Sequence, residues 1–198
     1  MACAPCANPA HAYVVVFVFF VVVFCCFCFH RHSLERVLFN AIALRLHTNK
    51  PAFARIVADA GAGAGCLDPA TFRAADYVSA CAKLRAGGDV TGSGFKGSVR
   101  SLLYKWSDGG GFSAGAANYL AQLAPRVATM AGEIAAHGDY RATLRVLRAA
   151  GLAPFCSYQV AIDLCVIVGP WFGGDVCRFC PEVGAGAVPM YCSGLGLD

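Results

Sequence analysis

Leu147-Arg148-Ala149-Ala150-Gly151-Leu152-Ala153-Pro154-Phe155 constrains this chain more tightly than any other stretch. Upstream, Arg141, Arg145 and Arg148 recur at i, i+4 and i+7, while Leu144 and Leu147 fall on the opposite side. That spacing predicts a helix from Tyr140 to Ala149 with one cationic stripe and one core face, and Asp139 available to cap it. Gly151 stands where a helix C-terminus calls for a left-handed residue. Pro154 fits the first turn of a second helix, since its ring presets φ and its missing N–H has no partner there anyway. The apolar segment from Phe155 to Val168 continues that helix. The pair therefore reads as a helix-turn-helix hairpin. The second helix would offer N-terminal backbone N–H groups to an anion such as a phosphate oxygen.

The rest of the chain follows the same helical period. Leu34, Val37, Leu38, Ala41, Ile42 and Leu46 share one face, with Ser33 as the expected N-cap and a stop before Pro51. Further helices are expected from Ala52 to Ala60, from Asp68-Pro69 to about Arg85, from Ser98 to Trp106, and from Ala114 to about Ala136, the last breakable near Pro125. Gly61 to Gly65, Gly87 to Gly97 and Asp108 to Gly111 are loops between them. No alternating strand pattern competes, so the fold class is all-α. With 198 residues, the chain is long enough for one domain with an ordinary core. Residues 1–32 form an irregular start plus an apolar segment, 33–192 the helical domain, and 193–198 a tail.

That apolar segment, Ala12 to Phe29, carries no charge and is followed by His30-Arg31-His32. Its length sits near the lower limit of about 17 residues for crossing a bilayer. Three readings stay open for it: a membrane anchor, a buried element, or non-coding sequence included by a wrong gene model. It lacks the basic n-region and small-residue cleavage site of a signal peptide. Without a secretory signal, the 12 cysteines are expected to be mostly free thiols, and Cys81, Cys156 and Cys165 to be small buried hydrophobes. An intracellular setting, nuclear or cytoplasmic, follows, with membrane association left open.

Several motifs carry less than they spell. Gly92-Ser93-Gly94-Phe95-Lys96-Gly97 matches GxGxxG but follows an Ala-rich helix rather than a strand, so a turn is the better reading. Lys83, Arg85, Lys96, Arg100 and Lys105 make the most basic local region, which suits either a phosphate backbone or a solvated helix face. Cys177 and Cys180 form a CxxC that Cys165 and Cys192 would have to complete. That spacing matches neither two close zinc pairs nor an iron–sulfur site, so no cofactor is expected.

Two resemblances give the hairpin a context. Residues 147–155 resemble the helix-hairpin-helix of DNA glycosylases, with Ala153 where that family has a second glycine. A catalytic Asp follows the hairpin in those enzymes, and Asp175 follows Gly151 by 24 positions here. A broader likeness rests on five segments: Val37-Leu38-Phe39-Asn40, Asn49-Lys50-Pro51, Thr91-Gly92, Phe155 to Leu164, and Val183-Gly184-Ala185-Gly186-Ala187. Together they resemble the helical domain of hydroxymethyl-deoxyuridine DNA kinases, related to the glutamyl/putrescinyl-thymine pyrophosphorylases.

This resemblance implies a glycosylase-like helical domain of a DNA base hypermodification system, acting on or positioning a 5-hydroxymethyluracil-type pyrimidine. Arg141, Arg145, Arg148, Gly151, Gly184 and Gly186 would meet DNA phosphates. Asn40, Tyr158 and Gln159 would line a base pocket, and Asp163 and Asp175 would be the catalytic acids. Gln159 and Asp163 share a helix face, which would let an amide and a carboxylate read one base edge. Asp163 has a second reading as a buried acid satisfied by a backbone N–H or an arginine. If the chain is an enzyme, it is a transferase or glycosylase-like enzyme on DNA. No GxxxxGK[ST] phosphate loop is present, so a kinase or transferase module would be a separate partner. The competing reading is a non-catalytic helical interaction module, tethered to a membrane through residues 12–29.

Overall fold

A buried helix, α1 (Leu34–Leu46), opens the described part of the chain and packs against three of the later helices in the computed structural model. The structure describes residues 33–168 except 48, 62–64, 89–93, 96 and 139. Seven further helices follow among the described residues: α2 (Lys50–Ala60), α3 (Ala74–Ala86), α4 (Arg100–Lys105), α5 (Gly111–Leu123), α6 (Val127–His137), α7 (Tyr140–Ala149) and α8 (Pro154–Val168). Short 3-10 turns, Gly97–Val99 and Ala124–Arg126, lead into α4 and α6. No strand occurs among the described residues, and the fold is all-α. The sole sheet-like feature there is an isolated bridge between His47 and Phe95.

α1 is buried beyond its expected stripe: Val37, Leu38, Phe39, Ala41, Ile42, Ala43 and Leu46 all lie in the core. A helix that is apolar nearly all round belongs inside, and α5, α6 and α8 pack against it. Ser33 holds the N-cap position, but its backbone carbonyl, not its hydroxyl, receives the amides of Arg36 and Val37. At the other end an aromatic group closes the core. His47 Nε2 hydrogen-bonds the Tyr77 hydroxyl, and the His47 ring lies 4.6 Å from Phe95 and 5.5 Å from Phe53, centroid to centroid.

Two boundaries differ from expectation. Asp68-Pro69 does not open a helix; Asp68 forms a turn, its Oδ1 accepting from Ala70 N and its carbonyl from Thr71 N. An Asp side chain competes for nearby backbone donors in this way, and here it also pairs with Arg36. α3 therefore starts at Ala74. In contrast, α2 begins before Pro51, because Asn49 caps it through Ala52 N at 3.3 Å and Pro51 is tolerated in the first turn. The expected break near Pro125 is present as the 3-10 turn between α5 and α6.

α4 and α5 approach so closely that Gly115 lies against the Leu103 carbonyl; a Cβ there would stand 2.0 Å from that oxygen. Gly115→Ala must push the two helices apart, and it should destabilise the fold by about 1–3 kcal/mol or more, read from the midpoint of urea unfolding. Cys81 makes a second, pH-dependent prediction. Burial pushes its thiol up from 9.0 to about 11, with Ser113 and Arg85 pulling partly the other way. A folded pKa above the unfolded one means stability that is whole below pH 9 and is lost as pH rises through 11. Cys81→Ala should flatten the stability curve across that window in thermal melts taken at several pH values.

Candidate functional site

The hairpin of α7 and α8 forms as the residue pattern requires. Gly151 adopts φ +88, and two bonds close the turn: Leu152 N donates to the Leu147 carbonyl at 3.3 Å and Gly151 N to the Arg148 carbonyl at 2.9 Å. This is the Schellman arrangement, and the buried Leu147 and Leu152 supply its apolar contact. Ala150 N donates to Val146 and Ser157 N to Ala153, while Ser157 Oγ donates to the Leu152 carbonyl. The amides of Ala150, Gly151 and Leu152 are thus spent inside the turn. Gly151 shapes the tip rather than donating to an anion.

α7 divides as its spacing dictates. Tyr140, Ala142, Thr143, Leu144 and Leu147 are buried, whereas Arg141, Arg145 and Arg148 are exposed. At about 1.5 Å per residue, the three guanidinium-bearing positions span roughly 10 Å of surface. The helix contains no acid to offset them. Pro154 and Phe155 stand exposed just past the turn, with Phe155 at 56% of its full accessibility. Beside the stripe, a cleft of about 240 Å³ runs between α6 and α7, lined by Arg126, Thr129, Met130, Glu133, Val146 and Ala149 among others.

The residues expected to form a base pocket lie on two helices, Asn40 on α1 and Tyr158 and Gln159 on α8. Asn40 binds across to the loop after α2: its Nδ2 donates to the Arg36 and Leu67 carbonyls at 2.8 and 2.7 Å, and its Oδ1 accepts from Leu67 N at 2.8 Å. Those three bonds commit the amide to holding the loop. Tyr158 and Gln159 are half-buried on α8, Tyr158 packed against the core. Asp163 is 3% exposed, and each of its carboxylate oxygens accepts from Arg45, one from Nε and the other from Nη2. Of the two readings of Asp163, the arginine-satisfied buried acid is the arrangement found, so no oxygen of Asp163 faces an open surface.

Arg45 is the residue that the periodicity did not single out. Its signal was present: Arg45 lies between Leu44 and Leu46 on a mostly apolar helix and Asp163 is the lone acid of another, and a buried charge needs a partner because leaving it unpaired costs far too much. Lys50, at the start of α2, lies within reach of the same pair. Burial lowers its pKa first and the charge of Arg45 lowers it further, against an opposing pull from Asp163.

Asp175, Gly184 and Gly186 lie outside the described residues, as do Cys177, Cys180, Cys192 and the apolar run 12–29. Among the described residues no group of three or more His, Cys, Asp or Glu is placed to hold a metal, and no helix is long and apolar enough to cross a membrane. Cys66, Cys81 and Cys156 are buried thiols. No family model, curated protein or solved structure matches this chain.

Asp163→Ala and Arg45→Ala should each lose about 3–5 kcal/mol, because each strands a buried charge. Replacing both with apolar residues, as Arg45→Met with Asp163→Leu, should lose less than either single change. Chemical unfolding of the three variants measures this; equal or additive losses would mean the pair is not the determinant.

Proposed function

We propose that this chain is a DNA-binding helical domain of a base hypermodification system, one that grips the phosphate backbone through α7 and its turn. The observation carrying this reading is the solvent-facing row of Arg141, Arg145 and Arg148, ending at a left-handed glycine tip. Three arginines on one helix face, without an acid among them, suit a ladder of phosphates. Each contact of this kind releases counterions and makes affinity fall with salt. The resemblance of residues 33–190 to hydroxymethyl-deoxyuridine DNA kinase domains supplies the modified pyrimidine as the target.

Within this reading the roles of the residues divide. Arg141, Arg145 and Arg148 provide charge, Gly151 gives the tip its shape, and Arg45 with Asp163 fixes α8 beneath it. Asn40 holds the neighbouring loop. A reaction on the base would fall to Asp175, which follows the hairpin and would act as a general base or stabilise positive charge developing at the sugar. The chain carries no kinase phosphate loop, so any phosphoryl transfer belongs to a separate module.

Arg145→Glu and Arg148→Glu should each weaken binding to duplex DNA and lower the slope of log affinity against log salt by about 1–2, measured by fluorescence anisotropy. An absence of DNA binding even at low salt overturns the reading. Asp175→Asn should abolish turnover of hydroxymethyluracil DNA while leaving that affinity nearly intact. Retained turnover would remove Asp175 from the chemistry without touching the binding proposal.

A further inference from the structure

The cleft of about 240 Å³ beside the arginine row has a lining that phosphate binding does not call for. Helical period builds it. On one side Arg126, Thr129, Met130 and Glu133 recur at i, i+3, i+4 and i+7, a single face of α6 and of the turn that leads into it. On the other side stand Val146 and Ala149 of α7. α6 closes on left-handed Gly138, and the chain turns back there, so early positions of α6 face late positions of α7. Ala149 carries only a methyl group, which leaves the space beside it open.

The lining separates into a floor and two charged ends. Met130 is 5% exposed and half-buried Val146 packs on the core, so the floor is apolar. Arg126 and Glu133 are exposed and two helical turns apart, roughly 10 Å along the axis. Neither forms an ion pair among the described residues. Thr129, also exposed, adds a hydroxyl to the same face between them.

A cation, an apolar floor and an anion in that order complement a molecule with the opposite charges at its ends. A carboxylate would pair with the Arg126 guanidinium and an ammonium with the Glu133 carboxylate. A short methylene chain would cover Met130 and Val146. A nucleic-acid backbone offers anions alone, and Glu133 repels them. We propose that this cleft is a binding site for a small zwitterion, an ω-amino acid whose carboxylate and ammonium are separated by a short aliphatic chain. The site is separate from the phosphate contacts of α7 and does not depend on them.

The test titrates 6-aminohexanoate into the full 198-residue chain and follows the backbone amides by two-dimensional NMR. Perturbed signals should cluster at the residues lining the cleft. Hexanoate lacks the ammonium and hexylamine the carboxylate. Each should bind about 2- to 5-fold more weakly than 6-aminohexanoate, the range for losing one exposed ion pair. Glu133→Gln should remove the advantage over hexanoate and leave hexanoate binding unchanged. Arg126→Gln should remove the advantage over hexylamine and leave hexylamine binding unchanged. Ala149→Phe fills the space and should abolish binding of all three, with the dispersion of the amide signals reporting an intact fold. Equal affinity for the three ligands overturns the site, as do perturbations confined to other surfaces or none at millimolar concentration. Each of these outcomes is independent of whether the chain binds DNA.

Discussion

The buried pair of Arg45 and Asp163 ties the first described helix to the last. α1 is the central helix and α8 the second arm of the hairpin, and 118 residues separate the two charges in sequence. Each side chain would be intolerable in its position alone, since burial strips the hydration that an ion needs. Joined by two hydrogen bonds from one guanidinium to both oxygens of one carboxylate, they become tolerable in a single geometry. Apolar contacts from Val160, Ala161 and Leu164 hold α8 in the core without specifying its rotation or register so sharply. The pair adds a directional contact between α1 and α8, and the hairpin turn stands at the start of α8.

From that anchor the surface follows by local rules. α8 enters the core immediately after Pro154, so the turn before it is forced outward, and the Schellman closure consumes its amides. α7 must then bury Leu144 and Leu147 against the same core, which turns Arg141, Arg145 and Arg148 to solvent. The cationic row is therefore a consequence of helical period and anchoring together, with no separate device needed to hold it. Tyr119 extends the same logic to α4, since its hydroxyl satisfies the Ala150 carbonyl where the backbone leaves the helix. Burial keeps that phenol protonated well above the ordinary tyrosine range, which preserves the O–H as a donor.

What the residues revealed beforehand was whatever depends on neighbours in sequence. Gly151, Pro154, the arginine spacing and the break at Pro125 are read within a turn or two, and each is found as expected. Asp68-Pro69 departs from expectation because two local chemistries compete there, a helix start and an Asp-centred turn, and the distant Arg36 favours the second. Asn40 looked free for a ligand because its partner, the Leu67 peptide, comes from a loop 27 residues away. Asp163 was recognisable as a buried acid, but the choice of Arg45 over any other arginine required the packing of α1 on α8. The exposure of Tyr104 and Phe155 is likewise a property of the assembled surface, since aromatic residues in helices ordinarily point inward.

This division bears on where function sits. The residues that a pocket would have needed, Asn40 and Asp163, are both engaged in holding elements together, and they serve different pairs of elements. Around the hairpin the exposed side chains include Arg141, Arg145, Arg148, Pro154 and Phe155. Such cations supply charge, and Glu133 lines the cleft beside them. Under the proposed reading, the acid for a reaction on the base would be Asp175, which follows α8 in the sequence. Under that reading, binding through α7 and turnover through Asp175 would rest on different residues and would separate on substitution.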